Sequence, residues 1–191
     1  MRWSVFIIFA YLFIAVQLGL GDLFEVREVR PEFLFIFMIF VAALAPTQIV
    51  FKSAVVLGIL SDLFTVYLTT EHQNITIIGP HALGYMLGAA LALQVRTMLF
   101  RQHPVSITLM VFMGGLTAHL TTIFLISIRW LLGEWITVWP AYQWSPTDQL
   151  VERFLMVLYT TIMALPVAWI LLRLAPLFAF DLRPRYSHTT R

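Results

Sequence analysis

The sequence predicts an all-α integral membrane protein of about six transmembrane helices, and three observations carry that expectation. Hydrophobic residues make up 60% of the 191 and charged residues only 12%, against roughly 25% charged in ordinary soluble domains. The mean hydropathy is +0.87. Apolar runs recur at about the ~20 residues a bilayer requires, and lipid offers the backbone no hydrogen-bond partners, so each crossing must be helical. A water-soluble fold of this size could not hide that much apolar surface.

The first span runs from about Trp3 to Leu20 and ends in Gly21-Asp22. Its apolar run outlasts the h-region of a secretory signal and lacks an A-x-A site, so it reads as an uncleaved helix. A charged connector follows from Glu25 to Glu32, and Pro31 sits just before the next apolar run, where its missing N–H costs least. From Phe33 to Leu68 the chain is nearly continuously apolar. As one helix it would extend ~54 Å against ~30 Å of hydrocarbon, so it must fold back. Pro46-Thr47-Gln48 marks the break, with Lys52 snorkelling to the same interface. This gives a short second span, Phe33 to Ala45, and a third from Ile49 to Leu68.

After the polar connector Thr69 to Asn74, a fourth span covers about Ile77 to Val95, entered through Gly79-Pro80-His81 and closed by Arg96, Arg101, His103 and Pro104. The fifth runs from about Val105 to Ile128. Arg129 to Arg153 then forms the longest loop, and the sixth span covers about Phe154 to Leu172, with Pro166 expected to bend or weaken it. The membrane domain is expected over 1–176, with a tail from 177 to 191. With an N-in start, Arg2, Lys52, Arg96, Arg101, Arg173, Arg183, Arg185 and Arg191 lie inside, eight of the twelve Lys and Arg. Both termini are therefore expected in the cytoplasm. No internal repeat supports an inverted-repeat transporter.

Asp62 is the acidic residue well inside an apolar span, ~15 Å beyond Lys52 and so near the bilayer middle. Such a group is costly and often functional. It is either an ion or proton site or, the reading preferred here, a hydrogen-bonded residue locking helices together. His119 is its expected partner, although their depths differ by about 6 Å. If hydrogen bonding is the point, Asp62→Asn should be tolerated. Gly84, Gly88 and Ala92 put small residues on one face of the fourth helix, and Gly114, Ala118 and Thr122 repeat the spacing on the fifth. Such faces let backbones approach closely, within this bundle or against a partner's helix. Trp130, Trp135, Trp139 and Trp144 fall in the outer loop with Tyr142. A short helix lying in the membrane plane is the default, with Trp135 and Trp139 on its apolar face, and a contact surface for an extracytoplasmic partner is the rival.

No catalytic arrangement emerges. The serines lack a G-x-S-x-G elbow, there is no H-E-x-x-H, and no glycine-rich phosphate loop precedes a lysine. The chain has no cysteine, which removes disulfides, thiolate metal sites and a thiol nucleophile. His81, Glu71 and His72 read as loop and cap residues rather than metal ligands. The net charge of +2 comes from scattered basic residues and implies no nucleic acid. No cofactor is expected.

Several local patterns, taken in order, resemble the rod shape-determining protein MreD family of bacteria. Arg30-Pro31-Glu32 opens the second helix as that family's Arg-Pro-Asp does, and Gly58-Ile-Leu-Ser-Asp62 is similar to its Gly-Leu-x-x-Asp pattern. Gly79 followed by Ala82-Leu83-Gly84-Tyr85-Met-Leu-Gly88 resembles its Leu-Gly…Ala-Leu…Gly-Tyr-x-x-Gly stretch. Leu158-Tyr159, Ala164-Leu165-Pro166-Val167 and Arg173 resemble its closing helix. Glu32 in place of Asp, a longer Thr69 to Ile78 connector and a large Trp-rich loop depart from the pattern. The resemblance implies a non-catalytic scaffold in the cytoplasmic (inner) membrane, part of the cell-wall elongation machinery with MreC, MreB, RodA and an elongation-specific penicillin-binding protein. The family's architecture is also similar to the substrate-binding subunits of energy-coupling-factor transporters. A small-molecule-binding transporter subunit, with a ligand among the helices near Asp62 and the Glu71 to Asn74 loop, is therefore the rival expectation.

Overall fold

The computed structural model of the chain describes residues 2–19, 21–25, 29–68, 74–99, 103–133 and 145–178. Among them are six α-helices, α1 (Trp3–Gly19), α2 (Phe33–Leu44), α3 (Thr47–Phe64), α4 (Pro80–Val95), α5 (Pro104–Gly133) and α6 (Pro146–Leu174). Two 3-10 turns, Gly21–Phe24 and Ala175–Phe178, and a two-residue antiparallel ladder of Tyr67–Leu68 with Asn74–Ile75 complete the described elements. By length and composition α3, α5 and α6 can cross a membrane, whereas α1 and α2 are shorter apolar helices.

The element order follows the sequence reading, but several bounds move for local reasons. Ala45 takes the extended conformation imposed before proline, φ −86° and ψ 159°. Pro46 then starts α3, its carbonyl accepting from Ile49 and Val50 N–H at 2.9 and 3.1 Å. α3 ends at Phe64 rather than Leu68, because β-branched Thr65 and Val66 leave the helix. The Thr65 hydroxyl turns back to the Ser61 carbonyl at 2.9 Å.

The largest correction concerns the expected loop from Arg129 to Arg153. α5 continues to Gly133 and α6 begins at Pro146, so both ends of that stretch are helical. Ser145-Pro146-Thr147-Asp148 is a helix start, with proline at the first helical position and an acid in the first turn. Trp130 and Leu131 therefore belong to α5 and not to a separate in-plane helix. Trp135, Trp139, Tyr142 and Trp144 lie outside the described residues. α6 runs unbroken through Pro166, which sits on its exposed face. At the C-terminal side, packing extends past the expected tail boundary. Phe178 is fully buried, and its carbonyl accepts from Arg2 N–H at 3.1 Å.

α2 is the centre of the bundle. All twelve of its residues are buried, and it packs against the other five helices. A 12-residue helix reaches only about 18 Å, well short of a bilayer, yet enclosure by protein removes any need to match lipid thickness. Its buried ends still leave backbone groups without intrahelical partners. Side chains from other helices supply them. The Gln17 side-chain oxygen accepts from Leu34 N–H at 3.0 Å, Thr160 Oγ1 from Glu32 N–H at 3.0 Å, and Arg96 Nη1 donates to the Ala42 and Ala45 carbonyls at 2.8 and 2.7 Å.

Candidate functional site: a buried polar chain across five helices

Asp62 lies on the last turn of α3, fully buried. Facing it is the start of α4, whose own cap position is Gly79 and offers no side chain. Gly79 adopts φ +124°, a conformation open to glycine and strained for other residues. Asp62 acts as the missing cap from a neighbouring helix. Oδ2 accepts from Gly79 and Ala82 N–H at 2.8 and 3.2 Å, and Oδ1 accepts from His81 N–H at 2.9 Å. A carboxylate there also meets the positive end of the α4 dipole.

Gly58 explains how the two helices come so close. It precedes Asp62 by one turn on the same face. A Cβ at Gly58 would overlap the Ala82 Cα and meet the Ala82 nitrogen and His81 carbonyl at 2.9 Å. The next contact along α4 is built the same way. A Cβ on Gly84 would come within 2.6 Å of the Ala118 carbonyl, and one on Gly88 within 2.8 Å of the Gly114 carbonyl. The small faces of α4 and α5 thus pack on each other, and Thr122 spans the same contact with its hydroxyl 3.3 Å from the Pro80 carbonyl.

From Asp62 a chain of polar side chains crosses the bundle. Asp62 Oδ1 is 2.8 Å from His81 Nδ1, His81 Nε2 is 3.4 Å from Arg153 Nη1, and the same Nη1 is 3.4 Å from His119 Nδ1. His119 Nε2 lies 3.5 Å from Glu32 Oε2, which also accepts from the Tyr85 hydroxyl at 3.4 Å. Glu32, His81, His119 and Arg153 are all buried, between 3% and 8% exposed. Arg153 Nε adds a 3.4 Å contact to Gln149 one turn earlier.

The partners assign the tautomers. Arginine only donates, so His81 Nε2 and His119 Nδ1 must accept from it. Each ring then carries its proton on the opposite nitrogen: His81 donates it to Asp62 at 2.8 Å, and His119 faces Glu32 with it across 3.5 Å. The result is a carboxylate–imidazole–guanidinium–imidazole–carboxylate chain that links the cap of α2 with α3, α4, α5 and α6. Buried charges of this kind are tolerated when paired and hydrogen-bonded, and removing one member leaves the rest exposed to a low-dielectric interior. Among the described residues no group of three His, Asp or Glu side chains could hold a metal ion. His81 has both ring nitrogens hydrogen-bonded, and His119 has Nδ1 on Arg153 with Nε2 facing Glu32.

This geometry corrects one expectation and extends others. Asp62 lies within the last turn of α3, and its imidazole partner is His81 rather than His119, with Arg153 standing between the two rings. Gly58, Asp62 and Tyr85 converge with His119 on one polar region, while Gly84 and Gly88 seat α5 beside it. Pro31 is buried at the entry to α2, next to Glu32, and Pro166 lies away from the site. Sequence reasoning missed Glu32, His81 and Arg153 as members. His81 directly follows Gly79-Pro80, a helix start, and Arg153 follows Ser145-Pro146, another. Both start signals were there to place these residues on helices rather than in loops.

No family model matches the chain, and no curated protein or solved structure matches it.

Proposed function

We propose that this chain is a non-catalytic scaffold subunit of the bacterial cell-wall elongation complex, of the kind its resemblance to the MreD family implies. In this reading it sits in the cytoplasmic (inner) membrane as a six-helix bundle with both termini in the cytoplasm. It holds MreC, and through it MreB, RodA and an elongation-specific penicillin-binding protein. α1 and α4 reach about 26 and 24 Å, so they cross with modest local thinning, and α2 is shielded from lipid by its neighbours.

One observation carries the choice of scaffold over transporter subunit: the centre of the bundle is filled by α2. A pocket for a vitamin-sized ligand needs roughly 300–1,000 Å³. Two cavities lined by described residues hold about 60 Å³ between α5 and α6 and about 10 Å³ beside Gln17 and Ser61. Asp62, His81, His119, Arg153 and Glu32 are turned toward one another, which favours a rigid body that presents outer helix faces to partners. The small-residue faces of α4 and α5 are already used within the bundle.

The test is affinity purification of the full-length protein from mild detergent after in-cell cross-linking. Recovery of a single-span, coiled-coil MreC-like protein in near-equal amount is the expected result, and its gene is expected beside this one. Recovery of none of the elongation proteins would overturn the reading. A thermal shift on adding a vitamin-sized ligand, lost in Asp62→Ala, would favour the transporter subunit instead.

A further inference from the structure

Between α5 and α6 a notch of about 60 Å³ opens on the side of the bundle. Leu120 and Ile123 face Phe154 and Val157 along it, and His119 and Arg153 complete its wall. Its rim is open, with Leu120 54% and Phe154 44% exposed. Apolar residues at one-turn spacing on two antiparallel helices make a channel that runs along the helix axes, the shape of an acyl-chain seat. Arg153 supplies a second feature. Its Nε and Nη1 are engaged, but among the described residues its Nη2 has no hydrogen-bond partner. The guanidinium is 7% exposed and keeps two donors at the edge of the apolar groove, where an oxygen acceptor seated in the groove can reach them.

The depth of Arg153 identifies that acceptor. At the other end of α6 the Arg173 guanidinium lies 3.6 Å over the Trp169 ring, an aromatic–cation pair of the kind that marks a membrane interface. Twenty helical residues separate Arg153 from Arg173, about 30 Å, which is the thickness of the hydrocarbon core. Arg153 therefore stands at the opposite interface, where phospholipid phosphates begin. Each carboxylate of the polar chain is one imidazole ring removed from the guanidinium, so the charge presented at the notch is that of Arg153.

We propose that this notch binds one phospholipid of the outer leaflet, with an acyl chain lying past Phe154 and Val157 and the phosphate accepting from Arg153 Nη2. The inference rests on the bundle being membrane-embedded with its termini in the cytoplasm and not on the identity of its protein partners. The seated lipid completes the hydrogen bonding of the polar chain and makes that chain sense the outer leaflet.

The test is native mass spectrometry of the delipidated full-length protein titrated with dioleoylphosphatidylglycerol, dioleoylglycerol or inorganic phosphate. One tightly held phosphatidylglycerol per protein is expected, with dioleoylglycerol weaker by about tenfold or more for want of the charge-assisted bond. Arg153→Gln should lose a similar factor. Because that variant can also disturb folding, Leu120→Trp, which fills the rim and leaves the polar chain intact, is the second arm and should weaken phosphatidylglycerol at least tenfold. Equal binding of the two lipids, undiminished binding by Leu120→Trp, or inorganic phosphate binding that lipid does not displace would each overturn the proposal. None of these outcomes bears on recovery of an MreC-like partner, so the two readings fail separately.

Discussion

Two regions meet on α2 only five residues apart. At its start Glu32 joins the polar chain, and by Phe37 the helix is inside a cluster of rings. Phe37 stacks with Phe6 and Phe13 at centroid distances of 5.5 and 5.1 Å and lies 6.1 Å from Phe178, which in turn packs on Phe9 and Phe40 at 4.8 and 5.6 Å. Both regions are buried, and both tie α2 to its neighbours. They differ in what fixes them. The polar end is held by directional bonds in which each atom has one acceptable partner type, whereas the aromatic cluster is held by shape and dispersion, which many side chains of similar volume can supply. The polar end should therefore fail on isosteric changes that keep volume, and the aromatic end should tolerate changes that keep volume but not chemistry.

Asp62→Asn is the sharpest way to break the comparison, and it reverses what the sequence alone suggests. Both carboxylate oxygens accept, Oδ1 from two His81 donors and Oδ2 from Gly79 and Ala82. An amide has one oxygen, so either orientation points an NH₂ group at two N–H donors. The expected loss is about 3 kcal/mol or more, the range for breaking a buried charge network. It is checked by denaturant titration in detergent micelles. A variant within about 1 kcal/mol of the parent, the net worth of a single ordinary hydrogen bond, would mean that Asp62 does not cap α4 as described.

The cluster of rings is predicted to respond less to a gentler chemical change. Phe37→Met keeps most of the volume and replaces the ring with a flexible thioether that can still contact aromatic neighbours. A loss below about 1.5 kcal/mol is expected in the same titration. A loss matching that of Asp62→Asn would show that ring geometry is as directional as the hydrogen bonds, and the contrast between the regions would fall.

The contrast also explains what the sequence could and could not disclose. Composition and run length were enough for the helices, because the requirement for apolar, internally bonded segments acts on every residue of a span. Pro46 marked the hairpin because proline acts locally. Gly58 and Asp62 were legible together within the motif that carries the family resemblance, but their target was not, since the α4 backbone that Asp62 caps is remote in sequence and N–H groups carry no residue signature. Arg153 was hidden for another reason. Its charge made the start of α6 look like loop, and only the partners His81 and His119 make a helical, buried arginine affordable. Glu32 was visible as a departure from a resembled motif, yet its pairing across five helices follows from packing and not from pattern.

The smallest expected effect falls at the junction of the two regions, on Tyr85. Its ring belongs to the packed side, edge-on to Phe35 at 5.1 Å, and its hydroxyl to the polar side, 3.4 Å from Glu32 Oε2. Tyr85→Phe keeps the first contact and removes the second. At 3.4 Å the bond is long for an O–H donor, and Glu32 retains His119 as a neighbour, so the carboxylate is not left alone. Polar contacts between membrane helices average about 0.6 kcal/mol, and a loss of about that size is expected. If Tyr85→Phe instead costs as much as Asp62→Asn, the hydroxyl is a full member of the chain and the polar region extends one residue further into the core. If it costs nothing, the boundary between the regions runs through the Tyr85 side chain itself, with the ring placed by packing and the hydroxyl merely tolerated beside Glu32.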